Sequence, residues 1–538
     1  MHLYIVLICG LFMAGLLSHI LERRKNENIT IKEYAIAAVC FLLLMFGFIG
    51  YTGILGSQYH LIDDHEVYTI GKDFSEFGYW KTVYRWVSND LHTRFRFTYF
   101  LIRVTQCYFF GDNFFLWHSF QTVTAATGLF LSYAFARKMK CTVLGAYIFA
   151  VIIFVGGDQA AVWWRLGPQE NLGTILLMLT LISLQNYLRK NKTSNLILSI
   201  VLTIFLGGIK EAFLLLLPLL PVWSAYWEIN LNGQDVSWQS IRDIVKKRWI
   251  YFLAAYLIFL IDMAIILLYV GTNQIGYAGI DASYGIIDYI KGIWYIVIGR
   301  LRLYIITSML GIMFLLVPFC VLWVKGHREL LFRFVRYMVI PVLTFGYFVG
   351  AQVILHVKSG MFERYLLPTT IAFAYFWLID LNGFIRFDQR FMKGYYVFVI
   401  FMALTLIMGV NNEEQARIYA EDGKNTTSML CMAATYADEN PNIIVGMGYE
   451  KDISASVYLQ EKYHVKSVYN LYYSIVENGM ARDGYRRDMN EKEAIAIDEA
   501  QMFIGYPDML IPIMEENGIF KQNLESYAFG NYALYIVK

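Results

Sequence analysis

The feature that most constrains this chain is the recurrence of long apolar runs, at 3–20, 34–55, 114–136, 141–158, 169–187, 195–209, 212–227, 249–271, 304–324, 337–355, 365–381 and 395–410. A helix needs about 20 apolar residues to cross about 30 Å of hydrocarbon. Most of these runs approach that length, although 195–209 and 212–227 are short. The sequence therefore predicts an α-helical polytopic membrane protein with about twelve transmembrane helices. Composition points the same way. Hydrophobic residues make up 57% of the chain and charged residues 16%, where globular domains carry about 25% charge.

Basic residues orient such a set. They cluster at Arg23/Arg24/Lys25, Arg137/Lys138/Lys140, Arg189/Lys190/Lys192, Lys246/Lys247/Arg248, Arg328/Arg333/Arg336 and Arg386/Arg390/Lys393, always in alternate loops. Those loops are expected to be cytoplasmic, and the loops between them extracytoplasmic. The run 3–20 lacks a basic leader and a small-residue cleavage site, so it reads as a retained helix with its N-terminus outside. The net charge of +2 favours no nucleic acid and no acidic partner. Cys9, Cys40, Cys107, Cys141, Cys320 and Cys431 fall mostly within apolar runs, without paired or ligand-like spacing. They read as small core residues.

Three regions follow. Residues 1–33 are an extra N-terminal transmembrane helix with a cytoplasmic loop, 34–410 a transmembrane catalytic domain, and 411–538 a small extracytoplasmic α/β domain. Within the second, 56–113 form a large outer loop whose aromatics alternate with Lys and Arg, the pattern of amphipathic interfacial helices. In the tail, "NIIVGMG", "AQMFIGYP" and "YALYIV" read as buried strands, with "ISASVYLQEKYH" and "MLIPIMEENG" as helices between them. Sequons stand at Asn28, Asn191 and Asn425, and no internal repeat is visible.

Residues suited to chemistry gather at the predicted outer helix ends. "LIDDHEVY" (61–68) brings Asp63, Asp64, His65 and Glu66 together just after the second run. As a solvated loop it would do nothing; beside a bilayer, an Asp could take a proton from an attacking hydroxyl. A second carboxylate could orient the acceptor or share a divalent cation, whereas His65 alone is a weak zinc signal. "GGIKEAFLLLLPLLP" places Lys210 and Glu211 between apolar runs, where charge is expensive. Either they form a mutual pair closing a turn, or Lys210 holds a phosphate as a point charge. "KSGMFERYLLP" presents Glu363, Arg364 and Tyr365; Arg364 could grip a phosphate with two donors or snorkel as an anchor. "GGDQAAVWWRLGPQENLG" offers Asp158, Arg165 and Glu170, the last equally explained by a helix dipole. Arg94 and Arg96 lie in the loop 56–113.

The order of these features, an acidic pair in the first large outer loop, Glu170 opening a later helix, "IKEAFLLLLP" and "ERYLLP", resembles the GT-C membrane glycosyltransferases that use polyprenyl-phosphate sugars. Relatives in that family include protein O-mannosyltransferases and lipid A aminoarabinose transferases. The likeness covers most of 34–410. It implies a multi-pass enzyme of the cytoplasmic membrane, with its active site and tail on the extracytoplasmic side. One sugar would pass from a polyprenyl-phosphate donor to a glycan, lipid or protein acceptor, with inversion. The resemblance makes Asp64 or Asp63 the base, while Glu66, Glu170, Asp158 and His65 would position the acceptor or a magnesium or manganese ion. Lys210, Arg364, Tyr365, Arg94, Arg96 and Arg165 would bind the donor phosphate. Two departures stand out: the acidic loop follows the second helix, where the family has it after the first, and Glu211 stands where relatives have a small residue. The rival readings are a polysaccharide polymerase or ligase using polyprenyl-diphosphate glycans, and a non-enzymatic carrier or flippase of lipid-linked sugars.

Overall fold

A computed structural model describes residues 10, 31–139, 141, 143–155, 161–231, 237–271, 279, 283–300, 324, 328–359, 363–375, 395–437, 441–471, 480–482 and 494–538. Its helices are α1 (Ile31–Thr52), α2 (His65–Phe77), α3 (Tyr79–Asp90), α4 (Phe97–Phe110), α5 (Phe114–Lys138), α6 (Val143–Val155), α7 (Glu170–Lys190), α8 (Thr193–Gly207) and α9 (Glu211–Leu214). They continue as α10 (Leu219–Leu231), α11 (Trp238–Ile265), α12 (Ile286–Trp294), α13 (Arg328–His356), α14 (Leu367–Ala374), α15 (Tyr395–Tyr436), α16 (Tyr449–Val457) and α17 (Pro507–Glu516). The chain divides into two compact units. One comprises 1–48, 85–101 and 121–414; the other comprises 49–84, 102–120 and 415–538.

The expectation of about twelve transmembrane helices does not survive. Among the described residues, 3 helices are long and apolar enough to cross a membrane: Ile31–Thr52, Glu170–Lys190 and Trp238–Val270. The physical reason is that an apolar run reads alike in a membrane span and in a buried core helix. In α7, 67% of the most apolar window is buried within the protein. The run 141–158 yields α6, whose 13 residues rise only about 20 Å. The run 212–227 breaks between α9 and α10. α5 is long but carries His118, Gln121, Thr122, Thr124 and Ser132, all buried. The runs 3–20 and 304–324 lie almost wholly outside the described residues.

With that architecture go the conclusions built on it. The described residues do not form the GT-C-like architecture of about twelve spans, and the resemblance to that family is one of short motifs. The multi-pass plasma-membrane location, the extracytoplasmic active site and the bilayer as partner are withdrawn with it. So are the polyprenyl-phosphate donor, the glycan, lipid or protein acceptor at an outer face, and the two rival readings that shared this topology.

In the first unit α7 and α8 form an antiparallel hairpin. Asn191 ends α7 at φ 50° with its amide on the Tyr187 carbonyl, a left-handed cap that asparagine tolerates. Small polar residues line the seam: Ser199 Oγ donates to Ser183 Oγ at 3.1 Å and Ser183 Oγ to the Asn195 carbonyl at 3.2 Å. These short side chains let the helices approach closely, as small residues do at any tight helix seam.

In the second unit the residues from 441 onward build a seven-stranded sheet of order β4-β3-β2-β1-β5-β7-β6. Its strands are β1 (Ile443–Gly446), β2 (Val468–Asn470), β3 (Met480–Arg482), β4 (Ala494–Ala496), β5 (Met502–Gly505), β6 (Leu524–Phe529) and β7 (Tyr532–Val537). β1 pairs in parallel with β2 and β5, and the remaining ladders are antiparallel. The central strands β1 and β5 are buried along their whole length, which is why they read as continuous apolar runs. Phe503, Leu510, Met514 and Ile519 pack α17 onto this core.

Candidate functional site

The sequence-predicted residues separate into two groups. In the first unit, Lys210 stands in the break between α8 and α9, with extended backbone (φ −169°, ψ 149°). Three close approaches bring other elements to it. The Thr98 amide donates to the Gly208 carbonyl at 2.9 Å, and a Cβ on Gly208 would fall 2.1 Å from the Phe97 ring. Only glycine lets the segment carrying Arg94 and Arg96 seat there. At Gly173, one turn into α7 from Glu170, a Cβ would fall 2.3 Å from the Phe213 ring of α9. From α13, Gln352 Nε2 donates to the Ala212 carbonyl at 3.2 Å.

These contacts converge on one buried ionic centre. Lys210 Nζ donates to Glu170 Oε1 at 2.5 Å, and Arg94 Nε lies 3.8 Å from Glu211 Oε1. Lys210 Nζ also sits 4.4 Å from the Tyr365 ring centroid, a cation–π contact. His356 stacks on that same ring, with centroids 4.6 Å apart and planes 11° apart. Arg364 lies over the same ring at 5.1 Å and donates from Nη2 to the Tyr365 hydroxyl at 3.1 Å. Arg94, Glu170, Lys210, Glu211, His356 and Tyr365 are all buried.

Burial shapes the charges. It pushes the Lys210 ammonium below its ordinary value, against the pull of Glu170, and Arg94 adds to the lowering. Burial would raise the Glu211 carboxyl, but Arg94 and Arg96 outweigh it and hold the group below the usual carboxylate range. Burial, then Lys210 and Arg94, push His356 well below the ordinary imidazole value, so its ring is neutral. Three carboxylate oxygens of this centre, Glu170 Oε2 and Glu211 Oε1 and Oε2, have no hydrogen-bond partner among the described residues. Buried acceptors without donors are costly, about 1–3 kcal/mol or more for charged groups. They mark a place where a ligand's hydroxyl protons would be welcome.

One of the two readings of the sequence pairs Lys210 with Glu211. Instead each takes a partner from a distant segment, Glu170 and Arg94. The two neighbours separate because Lys210 is extended while Glu211 begins a helix. His356 was not singled out, since one histidine closing an apolar run carries no signal of its own. Arg96 is not in the centre's first contacts; it clasps Asp90, with Nη2 to Oδ1 at 2.6 Å and Nε to Oδ1 at 3.1 Å. Arg165 is half-buried, and its carbonyl accepts from Gln121 Nε2 at 2.8 Å. Asp158 lies outside the described residues.

The acidic stretch 61–68 belongs to the second unit and turns inward. Asp64 is 1% exposed; its Oδ2 accepts from the His60 amide at 3.0 Å and contacts His60 Nδ1 at 3.3 Å. Asp64 thus serves the internal hydrogen bonding of the turn, and the expectation that it is the base falls with the outer-face topology on which it rested. Asp63, the alternative, is committed to the turn itself. Ile62 and Asp63 both have positive φ, 94° and 69°, a strained pair of left-handed residues. The Asp63 carbonyl accepts from Arg103 Nη2 at 3.3 Å, and Arg103 Nε donates to Glu66 at 3.1 Å. His65 Nδ1 meets Ser454 Oγ at 3.0 Å. The hydrogen bonds of 61–68 thus hold a turn in place. No group of three or more metal-ligating side chains occurs among the described residues, so the divalent cation finds no donor set there.

No family model matches the chain, and no curated protein matches it.

Proposed function

We propose that the chain is an enzyme that acts on a phosphorylated sugar at the Arg94–Glu170–Lys210–Glu211 centre, transferring its glycosyl group to a hydroxyl. The observation that carries this reading is the pairing of two buried cations with three carboxylate oxygens that lack donors. A phosphate ester supplies the anion that Lys210 and Arg94 would hold, the former as a point charge and the latter through its planar fork. Sugar hydroxyls supply the missing donors.

In such a transfer the acceptor oxygen forms a bond to the anomeric carbon as the bond from that carbon to the phosphate oxygen breaks. The hydroxyl proton passes to a carboxylate oxygen of Glu170 or Glu211, and phosphate leaves with the bonding electrons. Lys210 and Arg94 stabilise the charge that develops on the departing phosphate. The test is to incubate the full chain with hexose 1-phosphates and hydroxyl acceptors while following phosphate release and the new glycoside by mass. Release that requires acceptor, and that falls at least tenfold in Lys210→Met, supports the proposal. Absence of any glycoside across the hexose phosphates tried sinks it.

A further inference from the structure

The carboxy-terminal sheet ends on β6, the last strand in the order of described strands, paired there to β7 alone. The Lys538 amide donates to the Asn523 carbonyl at 2.9 Å, and the register then sets Leu524 opposite Val537 and Ser526 opposite Tyr535. Alternation along an antiparallel ladder therefore turns the amides and carbonyls of Leu524, Ser526 and Ala528 away from β7. The Val537 amide agrees, since it donates to the Gln501 carbonyl at 2.9 Å and not to β6. Ser526 and Ala528 are exposed.

The side chains of these same three residues share the sheet face covered by α17, because Tyr535 and Ala533 opposite them belong to its core with Met514. Ser526 and Ala528 are too small to fill the space beside the helix. They leave a cavity of about 230 Å³, shared with Ile511, Met514 and Tyr535. Sheet edges are ordinarily blunted by lysine, proline or a bulge. β6, "LESYAF", has none of these, and its one charge is Glu525.

We propose that β6 is a self-association edge at which two copies of the chain pair antiparallel about a two-fold axis through Ser526. This register joins the outward amides and carbonyls of 524, 526 and 528 into hydrogen-bonded pairs. It sets Leu524 of each copy opposite Ala528 of the other, so a large side chain meets the mouth of the cavity that the small one leaves. Glu525 falls opposite Tyr527, and the two glutamates never face each other. That self-complementarity is why a second copy fits better than an unrelated strand.

Sedimentation of the full chain from low to high micromolar concentration tests the proposal. The expected mass is two chains at high concentration, falling towards one on dilution. Ser526→Pro removes an amide that the single chain does not use, a substitution tolerated at sheet edges, and Ala528→Lys adds the charge that edges normally carry. Both are expected to sediment as one chain with unchanged far-ultraviolet dichroism. A wild type of one-chain mass at every concentration overturns the proposal, as does a two-chain mass retained by either folded variant.

Discussion

Lys210 Nζ lies 2.5 Å from Glu170 Oε1 with both side chains almost fully enclosed, at 3% and 0% exposure. Removing one member of such a pair strands the other charge in a low-dielectric interior, which costs about 3–5 kcal/mol. Lys210→Met is therefore expected to lower unfolding stability by about that amount. The double variant Lys210→Met/Glu170→Gln should recover most of the loss. Urea unfolding of the four proteins in this cycle measures the coupling, and additive losses would contradict the buried pair.

A second relationship is steric. His60 lies flat on Tyr419, with ring centroids 3.7 Å apart and planes 8° apart, and its Nε2 meets the Tyr419 carbonyl at 3.1 Å. One helical turn on, a Cβ at Gly423 would fall 2.3 Å from His60 Nε2. Gly423→Ala, which ordinarily favours a helix, should here destabilise by about 1–3 kcal/mol through overpacking. A thermal midpoint equal to or above that of the wild type would show that His60 does not need this seat.

Stability should fall on mild acidification through two histidines. Burial and the nearby His60 push His118 down to about 3, partly opposed by Asp64. Burial, Lys210 and Arg94 push His356 well below 6.5. Below the ordinary value the unfolded chain takes up a proton at each position while the folded chain does not, so stability is lost as pH drops through about 6.5. Each contributes a slope of about 1.4 kcal/mol per pH unit. His356→Gln should remove one proton's worth of that slope and leave the remainder; His118 faces Ser57, His60 and Asp64 and is untouched by the change. Below about 4.5, Glu211, held low by Arg94 and Arg96, adds its own loss in the same direction. An unchanged slope in His356→Gln would mean that the ring is charged in the folded protein.

Parts of this molecule are plain in the sequence. "NIIVGMG", "AQMFIGYP" and "YALYIV" contain β1, β5 and β7, because strands buried on both faces are short, continuous and apolar. Lys210 and Glu170 stand out as charges bordering apolar runs. What pattern alone misses is partnership. Lys210 pairs across 40 positions with Glu170 and not with its neighbour, a choice made by an extended residue between two helices. Asp64 looked available because its neighbours are polar, yet the strained turn at Ile62 and Asp63 folds it onto His60. Long apolar runs likewise cannot say whether a helix meets lipid or protein, and α7 is buried mostly by protein.

Calorimetric titration of the full chain tests most directly whether the centre binds a sugar and its phosphate together. Hexose 1-phosphate should bind more tightly than either inorganic phosphate or the free hexose. Glu211→Gln, which weakens the acceptors for sugar hydroxyls, should cost about 1.5–3 kcal/mol of hexose 1-phosphate affinity and little for inorganic phosphate. Equal affinity of wild type and Glu211→Gln for hexose 1-phosphate, or no binding by either, would contradict that joint binding.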